Sequence, residues 1–254
     1  MRHLNIIALI FVILISGCAG KKKNDIAQDT PENVYLKAAE MFREKNYGQA
    51  AELFSKVIYE FPYYEGAKNA MVMEVYAYYL DHDYDNMTLT IDNFLKMYPT
   101  SSEISYMYYM KALGFYEQIN IPYRDQNMTF KAKEALENLI QRFPGVKYSR
   151  DAKVKLGLVE DRLAAQEMII GRYYLNRGEL LSAIKRFNVV INDYSTTSHI
   201  EEALYRLSEL YIFMDNVAEA QKFAATLGYN YPKSKWYKSA YDLIEQRKKQ
   251  ANKP

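Results

Sequence analysis

Few residues in this chain could do covalent chemistry. Its only cysteine is Cys18, and its three histidines, His3, His82 and His199, are far apart in sequence. A lone thiol closes no intramolecular disulfide, and scattered imidazoles have no ligand spacing, so neither a metal nor a cofactor is expected. The chain contains no glycine-rich phosphate loop and no Ser/His/Asp motif context. Its acidic residues fall mostly on the polar faces of helical patterns, where solvated charge is the ordinary state. No catalytic residue is identified, and the chain is not expected to be an enzyme. Recognition remains. The 25 tyrosines in 254 residues are amphipathic rings that suit both helix packing and peptide-binding surfaces. A net charge of +2 argues against nucleic acid as a partner.

The elements that carry these side chains are short helices in pairs. In Met168–Ser195 two helical patterns are broken at Asn176-Arg177-Gly178. Gly171 and Ala183 stand where two antiparallel helices must approach closely, and Phe187 fills the space beyond. The interval Ala183, Phe187, Val190, Ser195 recurs as Ala50, Phe54, Val57, Pro62 and as Met87, Ile91, Phe94, Pro99. It recurs again as Ala132, Leu136, Leu139, Pro144 and as Ala220, Ala224, Leu227, Pro232. An aromatic residue precedes each closing Pro or Ser: Phe61, Tyr98, Phe143, Tyr194 and Tyr231. Proline offers no N–H and disfavours helix before it, so each second helix ends there. This is the pattern of a tetratricopeptide (TPR) repeat. The expected fold is all-α, an α-solenoid of about five TPR helix hairpins with a C-terminal capping helix.

Met1–Gly17 reads as a cleaved lipoprotein signal peptide. Leu4–Ile15 is apolar apart from Asn5, a run too short to span a bilayer comfortably and of the right length for a secretory signal. Ile15-Ser16-Gly17-Cys18 resembles the bacterial lipobox, with isoleucine where leucine is more usual, which implies lipidation of Cys18. Several acyl chains on one residue give stable anchoring. Ala19 and Gly20, with no aspartate beside the cysteine, resemble an outer-membrane destination. Residues 18–31 form the lipidated cysteine and a polar, basic tether.

The solenoid is expected over 32–245. Its front repeats cover 32–144, and the third carries an insertion, Ile119–Met128, containing Arg124, Asp125 and Gln126. An insertion in a repeat array forms a loop on one face. From Ser149 to Leu175 the apolar pattern runs without a breaker, which predicts one long helix of roughly 40 Å joining front to back. The back repeats run to Pro232, a capping helix covers 236–245, and 246–254 is a basic, frayed tail. Residues just beside the packing stripe of the first helices, Tyr35 and Phe42 and then Tyr76 and Tyr79, either face a peptide-binding groove or pack between neighbouring repeats. A groove so rich in aromatics and poor in lysine suits an extended or hairpin segment with aromatic side chains.

With these features in place, the chain from about Cys18 to Ile244 resembles the BamD family of outer-membrane β-barrel assembly lipoproteins. The residues that carry the resemblance are Tyr35–Pro62, Arg124-Asp125-Gln126, Glu167–Gly178 followed by Ala183-Ile184-x-Arg186-Phe187, His199–Leu207, and Tyr231-Pro232-x-Ser234-x-Trp236-Tyr237. The resemblance implies docking on the POTRA domains of a BamA-type barrel protein and binding of unfolded outer-membrane protein substrates. It implies a membrane anchor through lipid and a place on the outer membrane facing the periplasm. It makes Tyr35, Phe42, Tyr76 and Tyr79 substrate contacts, while Arg186 is either a docking arginine for a partner carboxylate or an ordinary surface arginine. A TPR adaptor lipoprotein for cell-wall remodelling or division enzymes is the alternative. Such an adaptor would need neither the Arg124-Asp125-Gln126 insertion nor the long helix.

Overall fold

A computed structural model describes residues 30–251. Among these residues there are eleven helices and no strand. In chain order they are α1 (Pro31–Arg43), α2 (Tyr47–Glu60), α3 (Ala67–Leu80), α4 (Tyr84–Met97), α5 (Ile104–Tyr116), α6 (Asn127–Arg142), α7 (Lys147–Asn176), α8 (Leu180–Asp193), α9 (Ile200–Phe213), α10 (Val217–Asn230) and α11 (Lys235–Ala251). They form five TPR-type hairpins followed by a closing helix, so the fold is all-α as the spacing predicts.

The hairpins share one local geometry. In four of them the first helix ends on a residue in the left-handed region: Lys45 (φ 65°), His82 (φ 60°), Gly178 (φ 74°) and Asp215 (φ 59°). The next N–H then reaches back to a carbonyl near the helix end, from Asn46 to Met41, Asp83 to Tyr78, Glu179 to Tyr174 and Asn216 to Tyr211, at 2.8–3.0 Å. This is the Schellman closure, which satisfies carbonyls that a helix end leaves unpaired. The third hairpin replaces it with the inserted loop. Every second helix stops at its aromatic residue, and Phe61, Tyr98, Phe143, Tyr194 and Tyr231 all have φ between −128° and −134°. Small hydroxyls complete two of these ends, where Ser149 donates to Phe143 O at 2.6 Å and Thr197 to Tyr194 O at 2.8 Å.

The chain divides into two compact units, Met1–Glu74 and Val75–Pro254. In the first, Thr30 caps α1 and Pro31 occupies its first turn, and the core is built on Val34, Ala38, Ala50, Ala51, Phe54 and Val57. In the second, one continuous core runs from Ala112 through Leu136, Leu163, Met168 and Phe187 to Leu210. A second core joins α9 and α10 to α11 through Leu204, Leu227, Ala240 and Ile244. The division therefore falls inside α3 and not at the long helix, because α7 shares one buried core with the helices on both sides of it. The closing helix also runs past the end expected at Glu245. Arg247 pairs with Asp215 at 2.6 Å and Lys248 with Glu245 at 2.8 Å, and no glycine or proline interrupts it before Ala251.

Inside the fourth hairpin the helices meet where Gly171 faces Phe187. A Cβ on Gly171 would lie 2.5 Å from Phe187 Cε1. Gly157, on the same helix, has nothing within 4 Å of that position. Alanine favours an exposed helix interior over glycine by about 0.8–1 kcal/mol, whereas crowding a packed core costs roughly 1–3 kcal/mol. Gly157→Ala is therefore expected to raise the denaturation midpoint and Gly171→Ala to lower it. Phe187→Ala is expected to cost about 3–5 kcal/mol. Chemical denaturation followed by circular dichroism checks all three, and equal shifts for the two glycines would sink the close-approach argument.

Candidate binding surface

The described residues contain no group of three or more His, Cys, Asp or Glu placed to hold a metal ion. No helix among them is long and apolar enough to cross a membrane. Cys18, with the expected signal and tether, lies outside the described residues. The candidate site is therefore built from rings and charges on the helices.

In the first unit, Tyr35 is half-buried and meets Phe54 edge-on at 5.4 Å, while Phe42 meets Tyr47 at 5.3 Å. Both rings thus pack within their own hairpin and keep part of their surface in solvent. In the second unit, the structure brings Tyr76 and Tyr79 together, stacked at 6.5 Å with 13° between their planes. Tyr76 is 38% exposed.

Three tyrosines that sequence reasoning did not single out extend this pair. Tyr148, at the start of α7, stacks on Tyr109 of α5 at 5.0 Å and packs against Tyr106 at 5.6 Å. Two hydroxyls are tied to carboxylates, Tyr79 to Glu117 at 3.1 Å and Tyr109 to Asp151 at 2.7 Å. Burial first, and then the Glu117 charge, pushes the Tyr79 phenol up to about 12. Burial raises Tyr106 as well, and burial with the Asp151 bond raises Tyr109. These phenols therefore stay protonated donors at neutral pH. The result is a cluster of rings in which the Tyr79 and Tyr109 hydroxyls are already satisfied, leaving apolar faces for a ligand. The spacing Tyr106/Tyr109, three residues apart as in Tyr76/Tyr79, is the signal that could have found it.

The inserted loop is held from within. Gln126 is only 3% exposed; its amide donates to the carbonyls of Ile121 and Arg124, both at 2.9 Å, and accepts from Thr129 at 2.7 Å. Asp125 accepts from the N–H of Asn127 at the start of α6. Of the three loop residues singled out in the sequence, two shape the loop. Arg124 is exposed and has no ion pair among the described residues.

Arg186, on α8, is half-exposed, and its Nη1 donates to Glu167 of α7 at 3.1 and 3.4 Å. The Nε/Nη2 edge of the guanidinium makes no hydrogen bond among the described residues, and that edge is the one that grips a carboxylate with two parallel bonds. Further along, an ion lattice ties the first helices of the last two hairpins together. Arg172 meets Glu202 at 3.0 Å, and Arg206 bonds Glu209 at 2.8 Å while lying over the rings of Tyr205 and Trp236.

The chain resembles known proteins along most of its length. Residues 27–227 match the family described as YfiO, outer membrane lipoprotein. A relative from Rickettsia prowazekii, named outer membrane protein assembly factor BamD, is 40% identical over 93% of this chain and 94% of its own length. Relatives of the same name from Caulobacter vibrioides and Neisseria meningitidis are 38% and 29% identical, over 94% and 90% of this chain and 79% and 91% of theirs. With a family match over most of its length and relatives spanning nearly all of it, this chain belongs to the YfiO/BamD family of outer membrane lipoproteins.

Proposed function

We propose that this chain is an outer-membrane-anchored scaffold of the β-barrel assembly machinery. It holds unfolded outer-membrane protein segments on its aromatic surface and docks on the POTRA domains of a BamA-type barrel protein. One observation carries this reading: relatives that align over nearly the whole chain are named outer membrane protein assembly factors. The stacked rings of Tyr76 and Tyr79, with the Tyr79 hydroxyl bonded to Glu117, support a sequence-tolerant hold on an extended segment. The open edge of Arg186 supports docking through a carboxylate of the partner. Lipid on Cys18 keeps the molecule at the membrane, on its periplasmic face. The work of such a scaffold is to raise the local concentration of a substrate beside the insertion partner, which requires no catalytic group.

Three outcomes are expected. Cys18→Ser abolishes labelling by radioactive palmitate and moves the protein from the membrane fraction to the soluble fraction; unchanged labelling would remove the anchor. In a detergent-solubilised pull-down, Arg186→Glu lowers recovery of a POTRA-bearing barrel protein by about tenfold or more, equivalent to at least ~1.4 kcal/mol. Full recovery through that variant would move the docking face elsewhere, and recovery of cell-wall enzymes in place of a barrel protein would replace the proposal. A photo-crosslinking residue at position 79 captures newly made outer-membrane proteins, whereas one at the exposed Tyr229 captures few. Equal yields at the two positions would remove the aromatic surface from substrate binding.

A further inference from the structure

Three lysines gather where α10 gives way to α11. Lys233, Lys235 and Lys238 line a cleft of about 550 Å³ together with Tyr237 and Tyr241. The turn that carries them is fixed on both sides. Ser234 accepts from the N–H of Trp236 at 3.1 Å, and the ring of Tyr237 lies against α10, where a Cβ on Gly228 would be 2.7 Å from its Cε2. Tyr241, one turn further along α11, is 54% exposed.

The cations around α11 differ in their commitments. Arg247 is bound to Asp215 and Lys248 to Glu245, whereas Lys233, Lys235 and Lys238 are exposed and have no carboxylate partner among the described residues. Asp242, one turn after Lys238, and Glu201, which shares a second cleft with Lys233, make no ion pair with them. The Lys235 ammonium stands 4.9 Å over the ring of Trp236. Lys249, exposed and likewise without a carboxylate among these residues, lies on the same face of α11 about 16 Å beyond Lys238. A row of ammonium groups reads charge density, where a guanidinium would select the planar fork of a carboxylate. Exposed tyrosine beside such lysines is the composition of a lipid headgroup contact. The ring settles between water and hydrocarbon, and the long lysine stem carries its charge to a phosphate.

We propose that the outer face of α11 rests on a membrane surface that carries anionic phospholipid, with Lys233, Lys235 and Lys238 on lipid phosphates and Tyr241 in the headgroup layer. This goes beyond the anchor proposed at Cys18 and does not depend on it. An acyl chain on a polar tether holds the protein near the bilayer without orienting it, whereas the patch fixes which face of the last hairpin turns toward the lipid. Peptide holding and docking on the barrel partner are independent of both.

The test uses the full-length mature chain carrying Cys18→Ser, so that no acyl chain contributes. Its partners are vesicles of phosphatidylcholine alone or mixed equally with phosphatidylglycerol. Co-sedimentation at physiological ionic strength is expected to show at least tenfold tighter partition onto the mixed vesicles, since each lysine at an anionic surface contributes about a fivefold factor. Combining Lys233→Gln, Lys235→Gln and Lys238→Gln removes most of that preference, whereas combining Lys21→Gln, Lys22→Gln and Lys23→Gln in the tether keeps most of it. The three α11 lysines hold no ion pair within the fold, so their variant is expected to keep its thermal midpoint. Trp236 is the only tryptophan and borders the patch, so a lipid spin-labelled on its headgroup quenches the fluorescence of the bound protein. Binding without quenching, or binding lost only in the tether variant, would overturn the patch and leave the anchor standing. If the mixed vesicles bind no better than phosphatidylcholine alone, the assignment falls; polyglutamate binding through the same lysines would then make the occupant an acidic polypeptide.

Discussion

A helical hairpin cannot cover both sides of its own apolar stripe, and the architecture of this chain is an answer to that constraint. Within each hairpin the two helices must come close, which requires a small residue at the crossing and a large one a turn beyond. Gly171 against Phe187 shows the limit of this approach, since a single methyl group would collide with the ring. Ala183, Phe187 and Val190 are fully buried, as are Ala50, Phe54 and Val57 in the first unit and Ala132, Leu136 and Leu139 in the second. The same spacing therefore produces the same packing five times. The closing helix α11 completes the series by placing Ala240 and Ile244 on the last exposed stripe, with Trp236, Tyr237 and Leu243 beside them.

How much of this could be read beforehand depended on how many neighbours each helix has. The second helices are strongly two-faced, so their buried positions, their aromatic stops and the repeat itself were legible from residue spacing alone. Two of the first helices, α3 and α5, are apolar nearly all round, as in the run Ile104-Ser-Tyr-Met-Tyr-Tyr-Met110. Such a run offers no stripe from which to choose a solvent face, and Tyr106 and Tyr109 escaped notice for that reason. Tyr148 was missed differently: it sits in the first turn of α7, and its ring partner belongs to another helix thirty-nine residues earlier. The loop triplet Arg124-Asp125-Gln126 was visible as an insertion, but nothing in sequence separates the exposed Arg124 from the buried Gln126. That distinction comes from Gln126 satisfying two loop carbonyls that would otherwise be stranded.

The first helices of the second unit also carry two different chemistries. Near α3, α5 and the start of α7 lie half-buried rings, with the Tyr79 hydroxyl tied to Glu117 and that of Tyr109 to Asp151. Along the end of α7, α9 and α11 they are ions in a half-buried lattice, Arg172, Glu202, Arg206 and Glu209, stacked on Tyr205 and Trp236. Rings bury large area with few rotatable bonds and accept many partner sequences. A lattice of forked ion pairs accepts few, because each member fixes the geometry of the next. The first arrangement suits transient and varied ligands, and the second suits a fixed shape.

Helix α7 belongs to both. Its first turns hold Tyr148 and Asp151, its middle holds Leu158 and Arg162, and its later turns hold Glu167 against Arg186 and Arg172 against Glu202. Thirty residues of helix span about 45 Å, and an uninterrupted helix packed on both sides bends little. The tyrosines at the start of α7 are therefore held at a fixed distance from Arg186, which pairs with its later turns. Under the proposed function, this distance is what the fold contributes. Gly157 marks the one place on α7 where a residue more flexible than alanine sits on an exposed face, and the helix runs through it without a break. The rigidity is supplied by the packing on either side of the helix, through Ala152, Val159 and Leu163, and not by the propensity of its own residues.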